Sequence, residues 1–282
     1  MVEEAIKKAS ILIEALSYIK KFRGTVTVIK YGGSMLEDSA LRDKILDDIV
    51  FMNYVGLHPV IVHGAGPSIS RALEQKGVNT KFVEGLRFTD KATLEVVIKQ
   101  TDTMNSILTD ELIKKDAEVE SFNSKNVITG ASLIKEELGL VGHPEALDIK
   151  HIKESLSSYK VPVVSPLGKD DAGNFYNINA DLMATFIAEC LKAEKLVLLT
   201  DVAGILKTMQ DPDSLMSTLS IKDAQGLIEK GIITGGMLPK VQSSIEALGS
   251  GVNKVHIIDA RIPHGLLLEI FTDKGIGTQI VH

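Results

Sequence analysis

Lys30 stands near the end of a β-branched run and is followed by Tyr31, Gly32, Gly33 and Ser34. An ammonium group closing an apolar strand has no packing reason to be there. Two glycines beside it let the backbone approach an anion without Cβ interference, and successive N–H groups there form a phosphate cradle. The G-x-x-x-x-G-K-[ST] phosphate loop does not occur in the sequence. A second glycine turn, His63-Gly64-Ala65-Gly66-Pro67, ends another apolar run. Ile69 occupies the third glycine position of a dinucleotide fingerprint, so that pattern fails. What remains is a turn into a helix N-terminus, a generic anion site. Gly235-Gly236 leads to Pro239 at a helix start, with Lys240 in the first helical turn. The helix dipole disfavours a cation there, so Lys240 hints at service to an anion.

Three further segments carry polar groups. In Gly85-Leu86-Arg87-Phe88-Thr89-Asp90, Arg87 either forks onto a carboxylate or makes a surface ion pair. In Asn177-Ile178-Asn179-Ala180-Asp181, Asn179 or Asp181 suits a helix N-cap, and the two Asn and the Asp also make a polar lip. Leu199-Thr200-Asp201-Val202-Ala203-Gly204 is another strand followed by a polar turn. The histidines show no metal-ligand spacing, and no G-x-S-x-G elbow supports a serine hydrolase.

These residues need a scaffold that presents strand ends. Strand patterns at 25–31, 58–63, 160–165, 195–200 and 254–259 alternate with helical ones at 41–55, 68–76, 93–115, 149–159, 180–191, 220–230, 239–248 and 265–271. Such alternation implies a largely parallel sheet covered on both faces, with ligands outside the carboxyl ends of the strands. Residues 277–281 read as an edge strand, and 122–142 as a β-hairpin insert. Val2, Ile6, Ala9, Ile13 and Leu16 recur at helical spacing, so residues 1–20 read as a leading helix that packs on its own domain or pairs with another subunit.

Apolar residues at 44% of 282 exclude a disordered chain. A net charge of -6 disfavours a general nucleic-acid or anionic-membrane surface. The lone Cys190 forbids an internal disulfide and reads as a buried thiol. With no membrane span or signal peptide in the pattern, a cytoplasmic setting is expected.

Taken in order, the six polar segments resemble the amino acid kinase family, from about Thr25 to the C-terminus. Each is weak alone, whereas GLRFTD, NINAD, LTDVAGIL and GGMLPK together are specific. The resemblance implies an α/β fold, a mainly parallel twisted sheet sandwiched between helical layers, with an N-terminal extension helix. It divides the chain into an oligomerisation helix at 1–21, an acceptor-binding lobe at 22–192 and a nucleotide-binding lobe at 193–282.

The resemblance further implies transfer of the γ-phosphate of ATP, with Mg²⁺ held mainly by the ATP phosphates, to the γ-carboxylate of N-acetyl-L-glutamate. Lys30 and Lys240 match the lysines that stabilise the transferring group, and Asp181 matches the aspartate that orients them. Gly32, Gly33 and Ser34 match the phosphate loop. Thr200, Asp201, Gly204 and Gly236 fall in the nucleotide site. Gly64, Ala65 and Gly66 match the acceptor loop, while Arg87, Asn177 and Asn179 match the groups around the acceptor. No residue is implied as a metal ligand. Ala65 departs from the family pattern, which has glycine there, so a methyl group either narrows the pocket or turns a backbone N–H. Other acceptors, or a catalytically silent binder of arginine or nucleotide, remain open. The leading helix resembles that of members that assemble as homo-oligomers, dimers at least and hexamers as trimers of dimers, inhibited by arginine. In those, arginine sits between that helix and a segment matching 269–278, with Glu269 and Gly275 as the matching contacts.

Overall fold

The computed structural model describes residues 2–208, 211–272 and 275–282. Helix α1 (Val2–Phe22) leads into β1 (Val26–Tyr31), α2 (Ser39–Tyr54), β2 (His58–His63) and α3 (Gly66–Gln75). A short hairpin, β3 (Phe82–Val83) and β4 (Leu86–Arg87), precedes the long α4 (Lys91–Lys114). Then come β5 (Val119–Phe122), β6 (Thr129–Leu133), β7 (Gly142–Leu147), α5 (Ile149–Ser157), β8 (Val161–Val164), β9 (Leu167–Lys169) and β10 (Phe175–Asn177). The remainder is α6 (Ala180–Leu191), β11 (Lys195–Thr200), β12 (Thr218–Ser220), α7 (Ile221–Glu229), α8 (Met237–Gly249), β13 (Lys254–Asp259), α9 (Gly265–Ile270) and β14 (Thr278–Val281).

The helices start where side chains can satisfy their first free N–H groups. Asp38 caps α2 through Ala40 and Leu41, Asp90 caps α4 through Thr93, and Ser220 with Asp223 forms a capping box on α7. For α6 the cap is Asn179, whose side-chain oxygen accepts from the N–H groups of Asp181 and Leu182. Asp181 is thereby left free to face elsewhere.

The main sheet has the order β12-β14-β13-β11-β1-β2-β8-β5. Strands β13 through β5 are parallel, whereas β14 runs antiparallel to β13 and parallel to β12. Residues 277–281 are therefore not an edge: the three-residue β12 lies outside β14. The sequence signal fails there because three residues are too few to show a two-residue period. The expected hairpin insert is the antiparallel β6–β7 pair, which belongs to a second sheet, β10-β9-β6-β7.

Both faces of the main sheet are buried, as parallel sheets require. Val28, Val60, Leu196 and Leu198 pack with Met183, Ile187 and Val241 on one side. Ile29, Ile61 and Val197 pack with Ile45, Ile49 and Leu108 on the other. Strand β1 lies between β2 and β11, pairing Lys30 with Val62 and with Leu198. Among the described residues, helix α1 joins this core by its end: Phe22 is buried there with Tyr18 and Ile19 against it, while Ile6, Ile11, Leu12 and Ile13 are exposed. No helix among the described residues is long and apolar enough to cross a membrane.

Candidate active site

Three charged side chains from distant segments meet at the carboxyl end of β1. Lys30 reaches one Asp181 oxygen at 3.0 Å. Lys240, from the first turn of α8, reaches the other at 3.0 Å. Burial pulls the Lys30 ammonium below its ordinary value, Asp181 opposes this, and Lys240 adds to the lowering. Burial pushes the Asp181 carboxyl up, but the two ammonium groups outweigh it and hold the acid below the usual carboxylate range. One carboxylate thus holds two cations, leaving a local charge of one positive unit. The helix dipole at the start of α8 adds to that positive field rather than relieving it. An incoming phosphoryl group would meet a preorganised cationic surface.

The two glycine turns abut backbone to backbone. A Cβ on Gly33 would lie 2.9 Å from the Gly66 nitrogen, 3.1 Å from the Ala65 nitrogen and 3.0 Å from the Pro67 ring. A Cβ on Gly64 would lie 3.1 Å from the Gly33 nitrogen. Glycine is required at these two positions by close approach. Gly66 meets no such constraint, having nothing within 4 Å of its Cβ position. Ala65 has φ -139° and no side-chain cap bond at the head of α3, so the first N–H groups of that helix are open to an anion. Its methyl group is buried in a small cluster with Ile69, Leu73, Val96, Val97 and Leu167. Alanine fits there at no backbone cost.

A cavity of about 310 Å³ lies beside the three charged groups. Its walls include Lys30, Gly32, Gly33, Ser34, Gly64, Ala65, Gly66, Arg87, Asn177, Asn179 and Asp181. Arg87 donates to the Gly66 carbonyl at 3.0 Å, Ser70 Oγ at 2.9 Å and Thr80 Oγ1 at 3.2 Å, and its guanidinium lies 4.8 Å from the Phe82 ring centre. It has no carboxylate partner among the described residues, and burial pulls its pKa down. A buried guanidinium without a counter-charge is poised for an anionic ligand. Asn177 donates to Thr89 Oγ1 at 3.0 Å, which leaves its amide oxygen uncommitted. The Asn179 oxygen is committed to capping α6.

Thr200, Asp201, Gly204, Gly236 and Lys240 are not among the residues lining this cavity. Thr200, Asp201 and Gly204 end or follow β11, which pairs with β1 on the side opposite β2 and its glycine turn. Asp201 is exposed and its charge raises the Lys30 pKa. Gly204 has φ +143° and a Cβ there would fall 2.6 Å from Thr278 Oγ1, so its glycine is explained by the approach of β14. Gly236 opens α8 with nothing within 4 Å of its Cβ position. Sequence reasoning missed Phe82, which stacks on Arg87 but lies in a two-residue strand with no motif. It also missed the role of Thr89 in fixing Asn177, which only the fold reveals.

A model of the amino acid kinase family matches residues 25–259, which contain every element of this site. The chain belongs to the amino acid kinase family. Within it, the chain is 42% identical to the acetylglutamate kinase of Heliobacterium modesticaldum, over 99% of each chain. It is 46% identical to that of a Thermoanaerobacter species, over 98% of this chain and 94% of the relative. Among solved structures, N-acetylglutamate synthase from Neisseria gonorrhoeae, complexed with coenzyme A and N-acetyl-glutamate, superposes with a TM-score of 0.86 at 28% identity. That match covers 97% of this chain and 63% of the longer synthase. Isopentenyl phosphate kinase shares the fold with a TM-score of 0.64 at 20% identity.

A second cavity, of about 140 Å³, lies between the end of α1 and the 269–275 segment, and brings Glu269 and Gly275 together. Asp273 and Lys274 of that segment lie outside the described residues. Lys21, Lys195 and Lys254 face the same space. The Glu269 carboxylate is held by His256 Nδ1 at 2.6 Å and by the N–H groups of Ile276 at 2.7 Å and Gly277 at 3.1 Å. Gly275 has φ +60°, and a Cβ there would lie 2.6 Å from Glu269, so no side chain fits.

Proposed function

We propose that this chain transfers the γ-phosphoryl group of ATP to the γ-carboxylate of N-acetyl-L-glutamate, forming an acyl phosphate in arginine biosynthesis. The observation that carries this is the pair of lysines on Asp181, set beside a cavity lined also by Arg87, which has no carboxylate partner among the described residues. A carboxylate acceptor is already ionised at neutral pH, so no general base is needed. The obstacle is repulsion between that carboxylate and the ATP phosphates. Lys30 and Lys240 neutralise the transferring group from two sides, and Asp181 keeps them in place. The N–H groups at Gly32, Gly33 and Ser34 hold the β- and γ-phosphates. The turn of Gly64, Ala65 and Gly66 receives the acceptor in line through the N–H groups of Ala65 and Gly66, with Arg87 and Asn177 on its carboxylate and acetamido ends. Thr200, Asp201, Gly204 and Gly236 border the nucleotide. Mg²⁺, held mainly by the ATP phosphates, neutralises phosphate charge as the group is transferred.

The test is incubation with Mg-ATP and a panel of carboxylate acceptors, trapping acyl phosphate with hydroxylamine. Hydroxamate with N-acetyl-L-glutamate alone is the expected result. Product with a different acceptor, or with none, would overturn the reading in favour of another kinase or a silent binder.

The second cavity supports inhibition by arginine. Three lysines suit the carboxylate end of an amino acid, and Glu269 suits a guanidinium. Burial, with the charge of Lys254, lowers the Lys195 pKa to about 8. Its ammonium is lost as pH rises through that value, so arginine inhibition should weaken between pH 7 and 9. An inhibition constant flat across that range would remove Lys195 from the contact. The exposed apolar face of α1 supports pairing with another copy, in a dimer at least and in a hexamer built as a trimer of dimers. Deleting residues 2–16 should reduce the assembly to a dimer on sedimentation, and an unchanged mass would refute this role.

A further inference from the structure

His63, the last residue of β2, is fully buried directly before the acceptor turn. It belongs to a polar network with no place in an apolar sheet. Its Nε2 lies 3.2 Å from Ser165 Oγ and 3.3 Å from Asn105 Nδ2. Asn105, fully buried on α4, also reaches the carbonyls of Val163 at 3.0 Å and Phe122 at 3.2 Å. Its Oδ1 accepts from Ser121 Oγ at 2.5 Å. One amide therefore ties together the carboxyl ends of β2, β8 and β5.

The network determines where the imidazole carries its proton. The two carbonyls can only accept, so the nitrogen facing them is the amide NH₂. That NH₂ also faces Nε2. Asn105 Nδ2 also donates to Ser165 Oγ at 3.2 Å, so the Ser165 hydroxyl turns its own proton to Nε2, and a neutral ring with Nε2 as acceptor carries its proton on Nδ1. The ring is neutral at pH 7, since burial lowers its pKa to about 4. Yet Nδ1 is buried and makes no hydrogen bond of good geometry. Its neighbour is the Gly64 backbone, whose influence opposes the lowering. Gly64 is also the pivot of the turn: its N–H donates to the Tyr31 carbonyl at 2.9 Å, and its α-carbon abuts Gly33.

We propose that His63 is a positioning residue for the acceptor turn, offering an Nδ1 proton to the Gly64 backbone so that the N–H groups of 65 and 66 align on the acceptor. This rests on the reading that the turn receives N-acetyl-L-glutamate. Asn105 and Ser165 act through it by fixing the tautomer.

Two variants separate the nitrogens. In His63→Asn the side-chain amide falls near the Nδ1 position, and in His63→Gln near Nε2. Steady-state kinetics of the full-length protein should show His63→Gln raising the acceptor KM about tenfold with the ATP KM unchanged. His63→Asn should stay within about threefold of the wild type. Equal effects of both, or a parallel rise in the ATP KM, would overturn the proposal. Long-range ¹H–¹⁵N NMR of the histidine-labelled wild type gives a readout that needs neither variant to fold. A protonated Nδ1 with bare Nε2 is expected, and the opposite tautomer refutes the idea. Failure of the wild type to form any hydroxamate would instead sink the functional reading, leaving the tautomer result intact.

Discussion

Lys240→Ala lowers kcat by on the order of 100- to 1000-fold, with the ATP KM within a few-fold of the wild type. Lys30→Ala does the same. On the proposed mechanism each ammonium serves charge that gathers on the transferring group, so its loss is felt in the transition state more than in binding. Asp181→Asn has a different signature. The carboxylate raises the pKa of Lys30 against a burial effect that lowers it. Removing the charge leaves burial opposed only by the more distant Asp201, and the neighbouring Lys240 lowers Lys30 further. The alkaline limb of the kcat profile should therefore move to lower pH in Asp181→Asn, as Lys30 loses its proton sooner. Rate measurements on the three variants, the last across pH 6 to 10, check both points. Near-normal turnover in both lysine variants would remove them from the chemistry.

Gly33→Ala should slow the reaction while leaving the protein folded. The added methyl meets the Gly66 and Ala65 nitrogens and the Pro67 ring at 2.9 to 3.1 Å. Backbone cannot yield there as a flexible side chain would, so the two turns must separate by a few tenths of an ångström. Reacting atoms held at near-contact tolerate little displacement, and a misplacement of about 1 Å costs roughly 100-fold. A loss of about tenfold or more in kcat, with a melting temperature close to the wild type, is expected. Gly66→Ala is the control, since its Cβ position has nothing within 4 Å. Equal rates in the two variants would show that the turns do not need their present spacing.

How much of this could be read from the sequence depended on how local each cause is. Lys30 and Lys240 stand out because each sits where its immediate surroundings disfavour a cation, an apolar strand end and a helix N-terminus. The strands from 58 to 63 and from 195 to 200 are visible because unbroken β-branched and aliphatic runs signal burial on both faces. The division of labour between Asn179 and Asp181 is not visible, because both residue types cap helices. Only the fold shows the amide capping α6 and the acid turned toward the lysines. Arg87 is similar: its anchors on Ser70, Thr80 and the Gly66 carbonyl come from a helix and loop that no spacing rule connects to it. The place of β14 inside the sheet was hidden because its outer neighbour, β12, is only three residues long.

The position of β1 has a consequence for how the molecule is made. It is paired on one side by β2, which follows within the same stretch of chain, and on the other by β11, at residues 195–200. A ribosome delivers the second partner only after most of the polypeptide has emerged. Until then Val28 and Ile29 sit in a strand with one bare row of N–H and C=O groups, an aggregation-prone edge. Because Asp181 and Lys240 arrive late as well, a partial chain has neither a closed sheet nor an assembled charge cluster. Closing that bare edge and completing the site are therefore late events of the same synthesis.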